Sequence, residues 1–291
     1  GRRGVFDIAV GGGPWPPSPI CRRRYDRHSQ RLFLSERLSP FDLLREVAME
    51  ACLMRMSVAV AAEIQALRLG SDEARRLARF ELGRYAAHAL MMPYAAFQAA
   101  AQRARCDVDV LRSRFSVSFE QAANRLTTLQ RPGVSGVPFF MLEVDHAGNR
   151  FRRAGAQGFP HSRFGGGCPR LVVHSAFTQP GHIFVEAVEM PDGAEFLTFA
   201  RTLEGPQGAF GERPRRTALL LGCDIGFRDD IVYGAALVPA PGKSGAAAVT
   251  PVGPACRLCE RAGCLSRAEP PVTRPLGLDE MVSGLSAFDF R

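Results

Sequence analysis

At Arg131-Pro132-Gly133 the hydrophobic period of the chain changes from helical to alternating. Upstream, apolar residues recur at helical spacing through Leu44, Val47, Ala48, Ala51, Cys52, Met54 and Val58, which predicts a helix from Phe41 to about Leu67. Ser39-Pro40 opens it with a cap and a first-turn proline, and Gly70 closes it. Ser71 caps the next helix, to about Met91, with Asp72 and Glu73 in its first turn. After Pro93 the pattern resumes over Tyr94–Arg105, and Asp107–Arg114 and Phe119–Leu129 read as helix, turn, helix. Downstream, strands are expected at Val137–Val144, Arg150–Arg153, Leu171–His174, His182–Glu189, Glu195–Leu203, Thr217–Cys223 and Ile231–Leu237. Pro191-Asp192-Gly193 supplies a hairpin turn. A short strand is also expected between Arg22 and Pro40. The fold class is α+β: a flexible linker over residues 1–20, a helical domain over 21–132, and a mainly β domain with a Cys-rich tail over 133–291.

With 291 residues, 46% hydrophobic and 23% charged, the chain carries enough apolar material for a packed core. No apolar run approaches the ~20 residues of a membrane span, and no signal peptide is visible, so a cytoplasmic location and no membrane partner are expected. The start at Gly1, without an initiator Met, reads as a fragment. The net charge of +8 is almost all arginine, Lys243 being the sole lysine. Guanidinium-rich surfaces suit phosphates, of nucleic acid or of a small molecule.

Among the eight cysteines, the tail Cys256-Arg-Leu-Cys259-Glu-Arg-Ala-Gly-Cys264 stands apart as C-x2-C-x4-C. A turn between the first two presents both sulfurs to one side, so the three converge on a centre, tetrahedral zinc or an iron–sulfur cluster. A disulfide framework is a poor alternative without a secretory signal and with an odd cysteine left over. For the fourth ligand, Cys168 follows Gly165-Gly166-Gly167 and precedes Pro169, so its backbone can approach a bulky centre closely. Cys223, at the end of an apolar strand, is the competitor, and His174 or His182 could complete a Cys3His zinc site. Cys52 fits a buried thiol on a helix face.

No P-loop and no G-x-G-x-x-G after a strand is present, and no catalytic set stands out; the chain reads as a non-enzyme. Leu44-Arg45-Glu46-Val47-Ala48-Met49 lies where an ImmA/IrrE-type metallopeptidase places H-E-x-x-H. Glu46 stands at the Glu position, but Arg45 and Met49 replace the two zinc-binding histidines, which excludes hydrolysis by that route.

Several stretches, in order, resemble the bacterial short-chain fatty acyl-CoA transcriptional regulators of propionate/methylcitrate and glyoxylate metabolism. They include Ala89-Leu-Met-Met-Pro-Tyr94, Phe115-Ser-Val-Ser-Phe-Glu-Gln121, Arg125-Leu-Thr-Thr-Leu-Gln-Arg-Pro-Gly133, Gly136-Val-Pro-Phe-Phe140 and Asp145-His-Ala-Gly-Asn149. Phe164-Gly-Gly-Gly-Cys-Pro169, Val173-His-Ser-Ala-Phe177, Leu221-Gly-Cys-Asp224 and Gly253-Pro-Ala-Cys-Arg-Leu-Cys-Glu-Arg261 with Cys264 continue the match. Gly205–Arg216, short and polar, departs from the common pattern. The resemblance implies a degenerate ImmA/IrrE-like helical domain followed by a GAF-like α/β sensor domain. It also implies binding of CoA or a short-chain acyl-CoA, and promoter DNA contacted as a homodimer through an upstream helix-turn-helix domain absent from this chain. It implies a 4Fe-4S cluster, carried over to Cys168, Cys256, Cys259 and Cys264, with zinc as the runner-up. For the acyl-CoA, Arg84, Arg131 and Arg163 are candidate phosphate partners, and Tyr94, Phe139, Phe140 and Phe164 are candidate walls. The helix-turn-helix-like stretch Asp107–Leu129 is expected to pack rather than read DNA, because Phe119, Ala122, Ala123 and Leu126 occupy most of its second helix. The competing function is a redox-sensing iron–sulfur module, or a structural zinc module, without acyl-CoA response.

Overall fold

Leu32 and Leu34 point inward with Phe33 between them, and this alternation makes Arg31–Leu34 (β3) the middle strand of a three-stranded sheet. Arg23–Asp26 (β2) pairs with it antiparallel, and Asp7–Val10 (β1) pairs with it parallel. The computed structural model describes residues 7–11, 21–155, 159, 167–206, 208, 210–213, 215–237, 248–277, 281, 284–286 and 288. β1 falls in the stretch expected to be linker. Strand pairing is non-local, so its partner 24 positions along the chain leaves no trace in the local pattern.

Helix α1 (Pro40–Arg55) starts as its cap predicts, with the Ser39 hydroxyl accepting from the Asp42 amide at 3.2 Å. The single expected run to Leu67 is broken at Met56, where α1 ends and α2 (Ser57–Ala66) begins. The Ser71 hydroxyl accepts from Ala74 N at 3.1 Å and opens α3 (Asp72–Met91). Gly83 lets α3 approach α1 closely, because a Cβ there would lie 3.1 Å from Leu53 and Met49 side-chain atoms. Ala48, Met49, Leu53, Val60 and Ala87 form the core of these helices. Then come α4 (Tyr94–Arg103), α5 (Val108–Phe115) and α6 (Phe119–Leu126). Ser118 and Gln121 cap α6 reciprocally, each accepting the other's amide at 3.1 Å. Phe119, Ala122, Ala123 and Leu126 are buried, as a packing helix requires.

The downstream half is a six-stranded sheet in the order β5-β4-β8-β7-β6-β9. Its strands are β4 (Phe140–Asp145), β5 (Arg150–Gly155), β6 (Phe184–Glu189), β7 (Glu195–Glu204), β8 (Arg216–Asp224) and β9 (Val249–Pro251). All neighbours run antiparallel except β6 and β9. Phe140, Leu142 and Val144 share one face with Leu220, Val188, Phe196 and Ala200, and α7 (Val172–Ser175) covers it with Val172 and Val173. Two expected strands are helical instead: Leu171–His174 belongs to α7, and Val232–Ala236 is a 3-10 turn. Short apolar runs fit either state, and tertiary contacts decide. Around Val232–Ala236, Tyr233 stacks on Phe199 at 4.0 Å and its hydroxyl accepts from Val108 N at 3.0 Å.

Two compact units result. One comprises Gly1–Phe97, Arg112–Gln121 and Pro206–Pro214; the other Gln98–Leu111, Ala122–Gly205 and Arg215–Arg291. No helix among the described residues is long and apolar enough to cross a membrane.

Glu186 on β6 carries a cost that can be measured. Its Oε1 accepts from the Thr250 hydroxyl, while Oε2 is buried with no hydrogen-bond partner among the described residues. Burial raises its pKa, partly offset by Thr250 and Arg170. A carboxyl raised in the folded state favours folding below its unfolded pKa and loses that contribution as pH rises through the folded value. Glu186→Gln therefore raises the thermal midpoint at pH 8, by about 2 °C after solvent screening of this half-buried group. The gain disappears below the ordinary glutamate range in a pH series of melting curves.

Candidate metal centre

The tail is positioned by β9, whose parallel pairing with β6 delivers Val252 and Gly253 to the sheet; the Val252 amide donates to Glu189 O at 2.9 Å. A 3-10 turn over Cys256–Leu258 follows, and Gly263 at φ +64° turns the chain before Cys264. Cys168 arrives from the other direction, at the start of the turn that leads into α7, where Leu171 N donates to Cys168 O at 3.2 Å. The result is one cleft lined by Cys168, Cys256, Cys259 and Cys264, together with Gly253, Arg261 and Arg267. All four cysteines are free thiols.

The cleft is built around sulfur. Burial pushes the Cys168 thiol pKa up, the backbone amides of Arg170 and Gly253 act against that by hydrogen-bonding the sulfur, and Cys256 and Cys259 are near enough to raise it further. Ala268 N donates to Cys256 Sγ at 3.4 Å. Gly253 has to be glycine, since a Cβ there would lie 2.6 Å from Cys259 Sγ. Arg267, 8% exposed, knots the loop: it donates to the carbonyls of Cys256 at 3.1 Å, Cys259 at 3.0 Å and Arg261 at 2.7 Å. Arg261 holds Glu189 through its O at 3.0 Å and Oε1 at 3.1 Å, while its buried Nε has no hydrogen-bond partner among the described residues. As placed, no three His, Cys, Asp or Glu side chains among the described residues stand ready to hold a single metal ion. A single zinc needs sulfurs within about 4 Å of one another, given Zn–S bonds near 2.3 Å. The donor set, the glycine cradle and the buried Arg261 Nε are compatible with a group held by cysteine sulfur.

The competitors do not line this cleft. Cys223 is fully buried on β8, where burial, with Cys106, Asp224 and Asp230 nearby, pushes its thiol to about 12. His174 lies beside the cleft, its ring hydrogen-bonded to the backbone of Cys168, and the His182 ring packs edge-on against Phe184. Sequence reasoning missed Arg261 and Arg267, because nothing in the order of residues marks which arginines turn inward.

The described candidate acyl-CoA residues are spread over both units. Arg84 lies on α3, ion-paired with Glu81 at 3.0 Å, and Tyr94 opens α4, half-buried. Both belong to the first unit, whereas Arg131, exposed, belongs to the second. Phe139 and Phe140 are core rings: Phe139 meets Phe199 edge-on at 6.1 Å, and Phe140 stacks on Phe159 at 4.3 Å. Arg163 and Phe164 lie outside the described residues.

On α1, the position of the protease motif holds a network of ion pairs. Arg45, 6% exposed, reaches Asp42 at 3.0 Å, Glu46 at 3.0 Å and Glu120 at 3.3 Å. Arg23 joins it through Glu46 at 3.3 Å and Glu50 at 2.6 Å. Burial opposes the Arg45 charge, but Glu120, Asp42 and Glu46 outweigh it and raise its pKa above the usual arginine value. A fixed cation thus occupies the first histidine position of the motif, and Glu46 is paired with it.

The first unit carries Arg45 and Met49 where a peptidase motif has its histidines, and the second carries a cleft lined by four cysteines. The profile of the IrrE N-terminal-like domain matches residues 5–127, and that of the short-chain fatty acyl coenzyme A regulator C-terminal domain matches residues 128–288. The chain belongs to the short-chain fatty acyl-CoA regulator family. It is 39% identical over 265 residues to the HTH-type transcriptional regulator RamB of Mycobacterium tuberculosis, covering 91% of this chain and 56% of that protein. It is 38% identical to the propionyl-CoA carboxylase regulator of Cereibacter sphaeroides (86% of this chain, 52% of that one). To the HTH-type transcriptional regulator PrpR of M. tuberculosis it is 34% identical (89% and 53%). A solved M. tuberculosis transcriptional regulator superposes with a TM-score of 0.86 at 32% identity, over 97% of this chain and 84% of that one. The chain spans about half the length of the curated relatives it matches. These relatives are transcriptional regulators and not enzymes, in agreement with the non-enzyme reading.

Proposed function

We propose that this chain is the ligand-sensing part of a transcriptional regulator of short-chain fatty acid metabolism. In this reading the second unit is a GAF-like sensor that binds CoA or a short-chain acyl-CoA, and Cys168, Cys256, Cys259 and Cys264 hold a 4Fe-4S cluster. DNA is contacted through a helix-turn-helix domain upstream of this chain, and the regulator acts as a homodimer in the cytoplasm. The family membership of residues 128–288 and the names of the relatives support the acyl-CoA and regulatory parts. The observation that carries the cluster is the cleft itself: four free cysteines from two distant stretches, with an inward arginine and a glycine that makes room for sulfur. When bound, a cluster supplies an oxidant-sensitive cross-link between the turn at Cys168 and the tail. The residues around it do the rest. Arg267 holds the three tail carbonyls in register, Arg261 ties the tail to β6, and amides of Arg170, Gly253 and Ala268 stabilise thiolate charge.

The test is anaerobic purification, followed by iron, sulfide and zinc content and thermal melting with CoA, acetyl-CoA and propionyl-CoA. The expected result is a brown protein with iron and sulfide in equal amounts and a midpoint that rises with ligand concentration. At a hundredfold excess over Kd the stabilisation is about 2.7 kcal/mol, a shift of roughly 5–10 °C. A colourless protein with one zinc replaces the cluster with a structural site. No shift with any of the three ligands at millimolar concentration overturns the acyl-CoA reading.

A further inference from the structure

Helices α2 and α3 form a hairpin that leaves large apolar side chains exposed among charged ones. In α2 only Val60 is buried, while Val58 is 83% exposed; on α3, Leu77 is 66% and Phe80 52% exposed. From Asp72 to Glu81 no α3 residue is buried. Leu77 and Phe80, three residues apart, are neighbours on one face of α3, and large apolar side chains exposed side by side offer a partner surface.

The charges on α3 identify the partner. Glu73, Leu77, Phe80 and Arg84 are spaced by four, three and four residues, so they form one stripe along the helix. Place a second α3 antiparallel, with the two-fold axis between Ala78 and Arg79. Leu77 then meets Phe80 of the second copy, Glu73 meets its Arg84, and Arg76 on the flank meets its Glu81. Every pair in the stripe is apolar with apolar or acid with base, and the two-fold repeats each of them. An isologous interface demands that kind of self-complementarity, and an unrelated partner does not. We infer that the α2–α3 hairpin, centred on Leu77 and Phe80, is the surface through which two copies of this chain dimerise. This deepens the reading of the chain as part of a homodimeric regulator and rests on it. Within one copy Arg84 pairs with Glu81, and across the two-fold it also faces Glu73 of the second copy.

The experiment is sedimentation velocity of the full chain, without ligand, across micromolar concentrations. Glu73→Arg sets arginine against Arg84 of the second copy, and Arg84→Glu sets two glutamates face to face. Each weakens the dimer at least tenfold. Mixing the two variants restores dimers, because the heterodimer carries an acid–base pair at both positions. Phe80→Glu abolishes dimerisation, and circular dichroism checks that each variant remains folded. A dimer insensitive to all three substitutions overturns this surface while leaving the homodimer standing. A chain that is monomeric throughout overturns both, and assigns the patch to another partner such as an upstream segment of the full-length protein. Failure of both single variants to recover on mixing, although each is folded and monomeric, also overturns the antiparallel register.

Discussion

Cys256→Ser protein, purified anaerobically beside the parent, is expected to lose the absorbance near ~400 nm and almost all of its iron and sulfide. The serine hydroxyl cannot supply the soft thiolate that a cluster requires. Cys168→Ser behaves in the same way although it lies far from the tail in sequence, because its sulfur opens into the same cleft. Cys223→Ser retains the cluster, since that thiol is buried on β8 with Cys106 beside it and does not line the cleft. Iron content and the visible spectrum, measured side by side on the three variants, check the assignment. Retention of a full cluster by Cys168→Ser would move the fourth ligand elsewhere. Zinc retained by all three would remove the cluster from the account.

Arg45→Met is expected to lower stability by about 3–5 kcal/mol, the cost of breaking a buried ion pair by removing one partner. The methionine is close in length, so packing changes little. What changes is that Asp42, Glu46 and Glu120 lose the cation lying within 3.3 Å of each. Arg23 still reaches Glu46 and Glu50, which compensates in part. The melting midpoint should fall by roughly 10 °C. Combining Arg45→Met with Glu120→Gln should recover part of the loss, because one of the stranded charges is removed. A fall of less than ~2 °C would mean that the network is solvated and has no structural weight. At the motif position the helix is held by charge pairing.

The helical caps at Ser39 and Ser71 and the turn at Pro191-Asp192-Gly193 were legible because each is a local signal that uses its own neighbours. The same holds for the C-x2-C-x4-C tail, whose spacing alone groups three sulfurs. The two apolar runs at Leu171 and Ile231 were not legible in this sense. Four to seven apolar residues satisfy a strand or a turn of helix equally, and the sheet face at Val172 and the Phe199–Tyr233 stack chose helix. Phe139 and Phe140 show the same limit, since an aromatic at the mouth of a pocket and one in a core look alike in sequence.

From the sequence came the α+β class, the order of helices before strands, the loss of the two protease histidines at Arg45 and Met49, and the four candidate cysteines. Those follow from composition and short-range spacing, which act along the chain. The tertiary structure alone decided that Asp7–Val10 is a strand and that Arg267 turns inward to bind three carbonyls. Each of these depends on contacts between residues far apart in the chain. Their energies exist only once the sheet and the tail have closed on each other.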